Sequence, residues 1–232
     1  MADKKKPGKA AARPKKAKAG PAVKAEAAAA APAVAPAAKP TSAAPGVAAT
    51  SPLDGRPGTG IDTAVMVEHP HAGKINLRGD AADQAFLDAV KGAAGTAPPI
   101  DANTVAAAGR NEILWLGPDE WLVVMPPGKQ SAMAAALGEA LAGRHVSVVD
   151  TTDARTTIRI HGARARDVLM KGCPLDLHPR AFGPGRCAQT IIAKVDVVIH
   201  QRDDAPTYDI YVLCSFARYL WDWLVDAAKE FS

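Results

Sequence analysis

Cysteine is scarce in this chain: Cys173, Cys187 and Cys214 are all that 232 residues hold, an odd number with no Cys-x-x-Cys pair. That excludes a secreted disulfide framework and predicts free thiols in a cytoplasmic protein. No stretch of eighteen apolar residues exists, so no membrane span is expected. Serine is almost missing after residue 60, where only Ser131, Ser147, Ser215 and Ser232 occur. No nucleophile elbow of the G-x-S-x-G kind is present, and no G-x-G-x-x-G follows a strand. Gly128-Lys129-Gln130 lacks the upstream glycine and the Ser/Thr of a phosphate loop. His69-Pro70-His71 is a Pro-locked pair with no carboxylate or thiolate at ligand spacing, and it reads as solvated rather than metal-binding. His161 and His178 read as surface or hydrogen-bonded side chains. Asp150, Asp153 and Arg155 form the tightest polar cluster, which reads first as a turn-stabilising ion pair. No catalytic, cofactor-binding or metal-ligating set is predicted.

The charge present is unevenly placed. Residues 1–60 carry eleven Lys/Arg against Asp3, Glu26 and Asp54, whereas residues 61–232 carry seventeen Lys/Arg against twenty-one Asp/Glu. The overall +4 therefore belongs to the first segment, and the remainder is mildly acidic with no basic nucleic-acid face. Residues 1–60 are rich in Lys, Ala and Pro, and no aromatic residue precedes Phe86. Such a segment cannot bury enough apolar surface to order itself and is expected to be a disordered basic tail. A second reading makes residues 1–40 a loose arm for nucleic acid or another polyanion.

From residue 61 to 232 the pattern repeats. Lys74–Arg78 alternates like a strand, turns at Gly79 and enters a helical stretch through Phe86, Leu87 and Val90. Thr157–His161 does the same, turns at Gly162 and continues through Val168 and Leu169 to Gly172. Further on, the strand Glu120–Met125 leads into an Ala/Leu helix from Ser131, and Tyr208–Leu213 leads into the last helix from Ser215. The two glycines stand 83 residues apart and the two serines 84. Two matches at nearly one period argue for duplication. The expected fold class is α+β: two ferredoxin-like repeats, about 73–142 and 145–231, sharing one antiparallel-rich sheet system. His145–Asp150 and Arg155–His161 are expected as strands joined by Thr151–Ala154, and Ala188–Ala193 with Val195–His200 as a hairpin.

In the last helix Phe216, Tyr219, Leu220, Trp223, Leu224, Ala227 and Phe231 fall at the spacing of a core-facing stripe. Trp221 and Val225 then lie on the opposite, wet face, flanked by Arg218. Trp and Arg are enriched at interface hot spots, so these three are candidate partner contacts. The Pro-rich loop from Cys173 to Pro184 adds Cys173, Pro174, His178 and Pro179 as candidates.

A family resemblance extends this reading. Leu116-Gly117-Pro118-Asp119-Glu120-Trp121-Leu122, Gly162–Leu169, Gly172–Pro179, Phe182, Gly185–Thr190 and Ser215–Ala227 together resemble the gamma subunit of heterotetrameric sarcosine oxidase. The likeness covers about residues 110–231, more weakly from 74 on, and leaves out the basic tail. That family is in turn similar to the folate-barrel group around the aminomethyltransferase of the glycine cleavage system, through Val149–Thr152, Gly162 and Leu169. Thr151-Thr152-Asp153-Ala154 departs from the Val-Ser-His usual there, so no contact is carried over at that turn. The resemblance implies the aminomethyltransferase-like folate-binding fold and a non-catalytic structural role, with alpha, beta and delta subunits as partners, chiefly alpha. It implies FAD, FMN, NAD, tetrahydrofolate and zinc on those other subunits, and a complex that oxidatively demethylates sarcosine to glycine while passing the one-carbon unit to tetrahydrofolate. A stand-alone folate-binding one-carbon protein, for which Asp150 is the candidate acid, is the alternative.

Overall fold

A computed structural model describes residues 49–58 and 60–232. Its first strand, β1 (Val65–Glu68), leads into β2 (Gly73–Arg78), α1 (Gln84–Ala94), β3 (Val105–Ala108), β4 (Asn111–Gly117), β5 (Glu120–Met125) and α2 (Gln130–Ala140). The second half runs β6 (Ser147–Asp150), β7 (Arg155–His161), α3 (Ala165–Met170), β8 (Arg186–Ile192), β9 (Val195–Asp203), β10 (Thr207–Leu213) and α4 (Cys214–Ala228). The expected duplication is visible: β2-α1-β3-β4-β5-α2 and β7-α3-β8-β9-β10-α4 have the same order of elements.

The strands form two five-stranded sheets, not the shared system expected. Their orders are β1-β7-β10-β9-β8 and β3-β4-β5-β2-β6, and all pairings with a named register are antiparallel. Each half supplies its neighbour's edge. β1 precedes β2 but pairs with β7, whereas β6 precedes β7 but pairs with β2. Val65 and Ser147 open these edge strands 82 residues apart, as Gly73 and Arg155 open the strands that follow. The turn Thr151–Ala154 is therefore a crossing between sheets rather than a hairpin. It is pinned by the Thr151 N–H donating to the Lys74 carbonyl at 2.8 Å and by the Thr152 hydroxyl accepting from the Lys74 N–H at 3.0 Å.

Strand alternation sorts the core into layers. In β5, Trp121, Val123 and Met125 join Phe86, Val90 and Leu137 beneath α1 and α2. Leu122 and Val124 point the other way and meet Leu114, Cys187, Val198 and Tyr211 between the sheets. In β10, Tyr208, Ile210 and Val212 lie in the cluster that contains Leu220, Trp221 and Leu224 of α4. The result is helices, sheet, sheet, helices. Along one edge the sheets are sewn together: the Val105 N–H donates to the Gly185 carbonyl and the Cys187 N–H to the Asn103 carbonyl, both at 3.0 Å. The glycines of the repeat have different causes. A Cβ on Gly79 would strike the Phe86 ring, whereas Gly162 takes φ +117° and a Cβ there would lie 2.6 Å from the Thr63 carbonyl oxygen.

Two expectations are corrected here. The folded domain includes residues about ten positions before 60, because Ser51 and Leu53 are buried against it. The remainder of the predicted tail, including the polyanion-binding reading of residues 1–40, lies outside the described residues. The last helix also faces differently from its predicted stripe. Its buried positions are Ala217, Leu220, Trp221, Leu224, Ala227 and Ala228. Phe216 and Tyr219, expected inside, are 47% and 44% exposed, while Trp221 is 4% exposed. The helix is rotated by about one residue from the predicted stripe, with small Ala217 and Ala228 fully buried alongside Trp221 in the same core cluster. α4 begins at Cys214, one residue before the expected start at Ser215, and Leu213 is the residue that precedes it. No helix among the described residues is long and apolar enough to cross a membrane.

Candidate functional site

The densest polar arrangement lies in the layer between the sheets, on residues that alternation turns away from the helices. Asp209 in β10 stands directly across from Arg159 in β7 on one side and His200 in β9 on the other. Arg159 holds Asp209 with a fork, Nε to Oδ1 at 2.6 Å and Nη2 to Oδ2 at 2.8 Å. Arg202, further along β9, donates from Nη1 to Asp209 at 2.8 Å and grips Glu112 of β4 with both Nη atoms, at 2.9 and 2.6 Å. Glu112 comes from the opposite sheet, so this ion cluster bolts the two sheets together. Forked guanidinium–carboxylate pairs are the strong geometry for that task.

Burial opposes the charge on Asp209, but the hydrogen bond and positive charge of Arg159, with Arg202 beside it, hold its carboxyl below the usual range. Desolvation lowers the His200 and His69 imidazoles below their ordinary value, so both are neutral near pH 7. His200 Nδ1 is buried without a partner, 3.8 Å from Glu112 Oε2, and the buried Thr157 hydroxyl is also unpartnered. Glu112, His200 and Asp209 offer three ligand atoms within 4.8 Å of one another. Both carboxylates are already neutralised by guanidiniums that a cation would have to displace, so the donor set fits a metal poorly. The cluster opens into a cleft of about 340 Å³ bordered by His69, Arg110, Thr157, Arg159, Pro126 and Tyr211.

These residues escaped the sequence reading. The signal was available: Arg159 sits between Ile158 and Ile160, and Asp209 between Tyr208 and Ile210, each a charge inside an apolar strand. Asp150, by contrast, is exposed and accepts the Thr152 N–H at 2.9 Å, so it holds the turn through a backbone N–H and not through the expected ion pair with Arg155. Of the His69–His71 pair, only His69 reaches the cleft.

The structure separates the predicted partner contacts. Trp221 is buried and Val225 half-buried. The Arg218 Nε–H donates to the Pro52 carbonyl at 2.9 Å, and Arg56 pairs with Asp222 one turn on. The face expected to await a partner is thus covered by the chain's own segment Ser51–Arg56, which the sequence reading had assigned to the tail. Cys173 is buried as well, whereas Pro174, His178 and Pro179 are exposed. Their loop is anchored by buried Leu177 and Phe182 and stiffened by the His178 ring, whose Nδ1 accepts the Arg180 N–H at 3.2 Å. The exposed apolar flank of α4 is instead Phe216 and Tyr219, continued by half-buried Trp223. Trp223 overlies Gly172, at the start of that loop, so closely that a Cβ on Gly172 would lie 2.5 Å from the indole.

The sarcosine oxidase gamma subunit family model matches residues 78–230. The chain belongs to that family. It is 36% identical over 178 residues to the sarcosine oxidase subunit gamma of Arthrobacter sp., a match covering 72% of this chain and 86% of the relative. Among solved structures, a chain of heterotetrameric sarcosine oxidase from Corynebacterium sp. U-96, in complex with pyrrole 2-carboxylate, matches with a TM-score of 0.69 and 31% identity. That match covers 75% of this gamma-family chain and 87% of the other. The glycine cleavage system aminomethyltransferase T from Bartonella henselae shares the fold, with a TM-score of 0.56 at 16% identity over 72% of this chain and 46% of that one. The aminomethyltransferase-like architecture expected from the sequence is thereby found.

Proposed function

We propose that this gamma-family chain is a non-catalytic structural subunit of a heterotetrameric sarcosine oxidase. The complex oxidatively demethylates sarcosine to glycine and transfers the one-carbon unit to tetrahydrofolate. FAD, FMN, NAD, folate and zinc sit on its alpha, beta and delta subunits, and gamma docks chiefly on alpha. The observation carrying this reading is the aromatic flank Phe216–Tyr219–Trp223 on α4, left largely uncovered by the described residues and continuous through Gly172 with the stiff loop that presents Pro174, His178 and Pro179. Large aromatics at a rigid surface are what interface hot spots are made of. Family membership and the match to a chain of the oxidase support the subunit role.

Co-expression with the other subunits tests it. Phe216→Ser with Tyr219→Ser should leave the chain's own stability nearly unchanged, within about 0.5 kcal/mol per exposed site. The pair should weaken co-purification of the flavin-bearing subunits by at least about 2 kcal/mol, roughly thirtyfold. A doubly substituted chain that still assembles at wild-type yield would defeat the docking assignment.

A further inference from the structure

The cleft between the sheets is built like a binding site, and the subunit reading gives it no role. Three guanidiniums, Arg110, Arg159 and Arg202, face it against two carboxylates, Glu112 and Asp209, leaving one positive charge in excess. Arg202 is held by both carboxylates. Arg159 uses Nε and Nη2 on Asp209, and its Nη1 has no partner among the described residues. Arg110, on the turn between β3 and β4, is exposed and has no hydrogen-bond or ion-pair partner among the described residues. Thr157 borders the cleft and is 4% exposed, and its buried hydroxyl has no hydrogen-bond partner among the described residues. An unmet buried hydroxyl is unfavourable, and that cost is relieved when a ligand supplies the missing partner.

We propose that this cleft binds a small organic monocarboxylate. Its carboxylate lies on Arg110 and Arg159 Nη1 and accepts from Thr157, with an apolar body against Val124, Pro126 and Pro127. Planar guanidinium donors favour carboxylate geometry. A single excess charge suits a monoanion, and a dianion such as phosphate would meet repulsion from Glu112 and Asp209. The approximately 340 Å³ cleft has room for a body of about ten non-hydrogen atoms, given about 30 Å³ per water-sized unit. This inference concerns the chain by itself and does not depend on its assembly with other subunits.

Calorimetric titration of the full chain with sodium benzoate, benzamide and inorganic phosphate decides it. Benzoate should bind saturably at one site, and neutral benzamide at least about tenfold more weakly, since the charge-assisted hydrogen bonds are lost. Phosphate should not displace benzoate at equal concentration. Arg110→Ala should weaken benzoate about tenfold without lowering the melting temperature. Thr157→Val should weaken it severalfold and leave stability equal or higher, because an unmet hydroxyl is removed. Equal binding of benzamide, displacement by phosphate, indifference to both substitutions, or no saturable binding at all would each overturn the proposal.

Discussion

Single side chains in this molecule have roles that depend on where their polar ends come to rest. Lys74 is the plainest case. It occupies a fully buried position in β2, and its Nζ donates to the Ala72 carbonyl at 2.7 Å. Burial lowers its pKa from 10.5 to about 8. An unfolded lysine keeps its proton to about pH 10.5, so between about pH 8 and 10.5 the unfolded chain binds more protons and stability rises with pH. Lys74→Met removes that gain. The stability difference between variant and wild type should therefore shift by about 2 kcal/mol, to the wild type's advantage, between about pH 7.5 and pH 10 in urea unfolding. The Cys187 thiol, pushed up to about 11 by burial, acts in the opposite direction, but it is common to both chains and cancels. A pH-independent difference would mean that the Lys74 ammonium is solvated.

At the scale of elements, α4 shows what was legible in the sequence and what was not. Its existence, and the strand feeding it, follow from the 3.6-residue spacing and the alternation of Tyr208–Leu213. Its phase does not, because hydrophobicity favours Phe216 and Tyr219 over Ala217 and Ala228. Close approach to the sheet selects the alanines instead. The two tryptophans consequently exchange the roles that the sequence gives them. Trp221→Ala should cost about 3–5 kcal/mol, as for a fully buried large side chain. Trp223→Ala should cost about half of that or less, since part of its ring is already in water. Comparable losses in denaturant melts would contradict the helix orientation. β3, Val105–Ala108, was hidden for a related reason: Val-Ala-Ala-Ala has no strand pattern of its own, and its partners in β4 and at Gly185 make it a strand. β1, Val65–Glu68, was not read because it precedes the repeat expected from about residue 73. The ion cluster was missed because charges from β4, β7, β9 and β10 converge only when two sheets are stacked, which no local window contains.

The whole molecule is held together by exchange. If each half were an independent repeat, β1 would flank β2 and β6 would flank β7. Each instead completes the other half's sheet. The layer between the sheets adds Leu114, Leu122, Val198 and Tyr211, together with the pairing of Glu112 from one half with Arg202 from the other. Separating the halves would expose that apolar face, strand Glu112 without its guanidinium and leave β2 and β7 as open edges, which invite aggregation. Cutting the chain within the turn at Gly143 should therefore give two pieces, residues 1–143 and 144–232, neither of which unfolds cooperatively alone. Mixed during refolding, they should combine one to one and recover a single transition, because most of the buried surface lies within each half and only the exchanged strands and the middle layer must be rejoined. Circular dichroism melts of the separate and mixed pieces read this directly. A piece that melts cooperatively by itself would show that duplication left an autonomous domain and that the strand exchange is ornament, whereas failure of the mixture to fold would show that the covalent link between α2 and β6 at Gly143 is needed to set the register of β6 on β2.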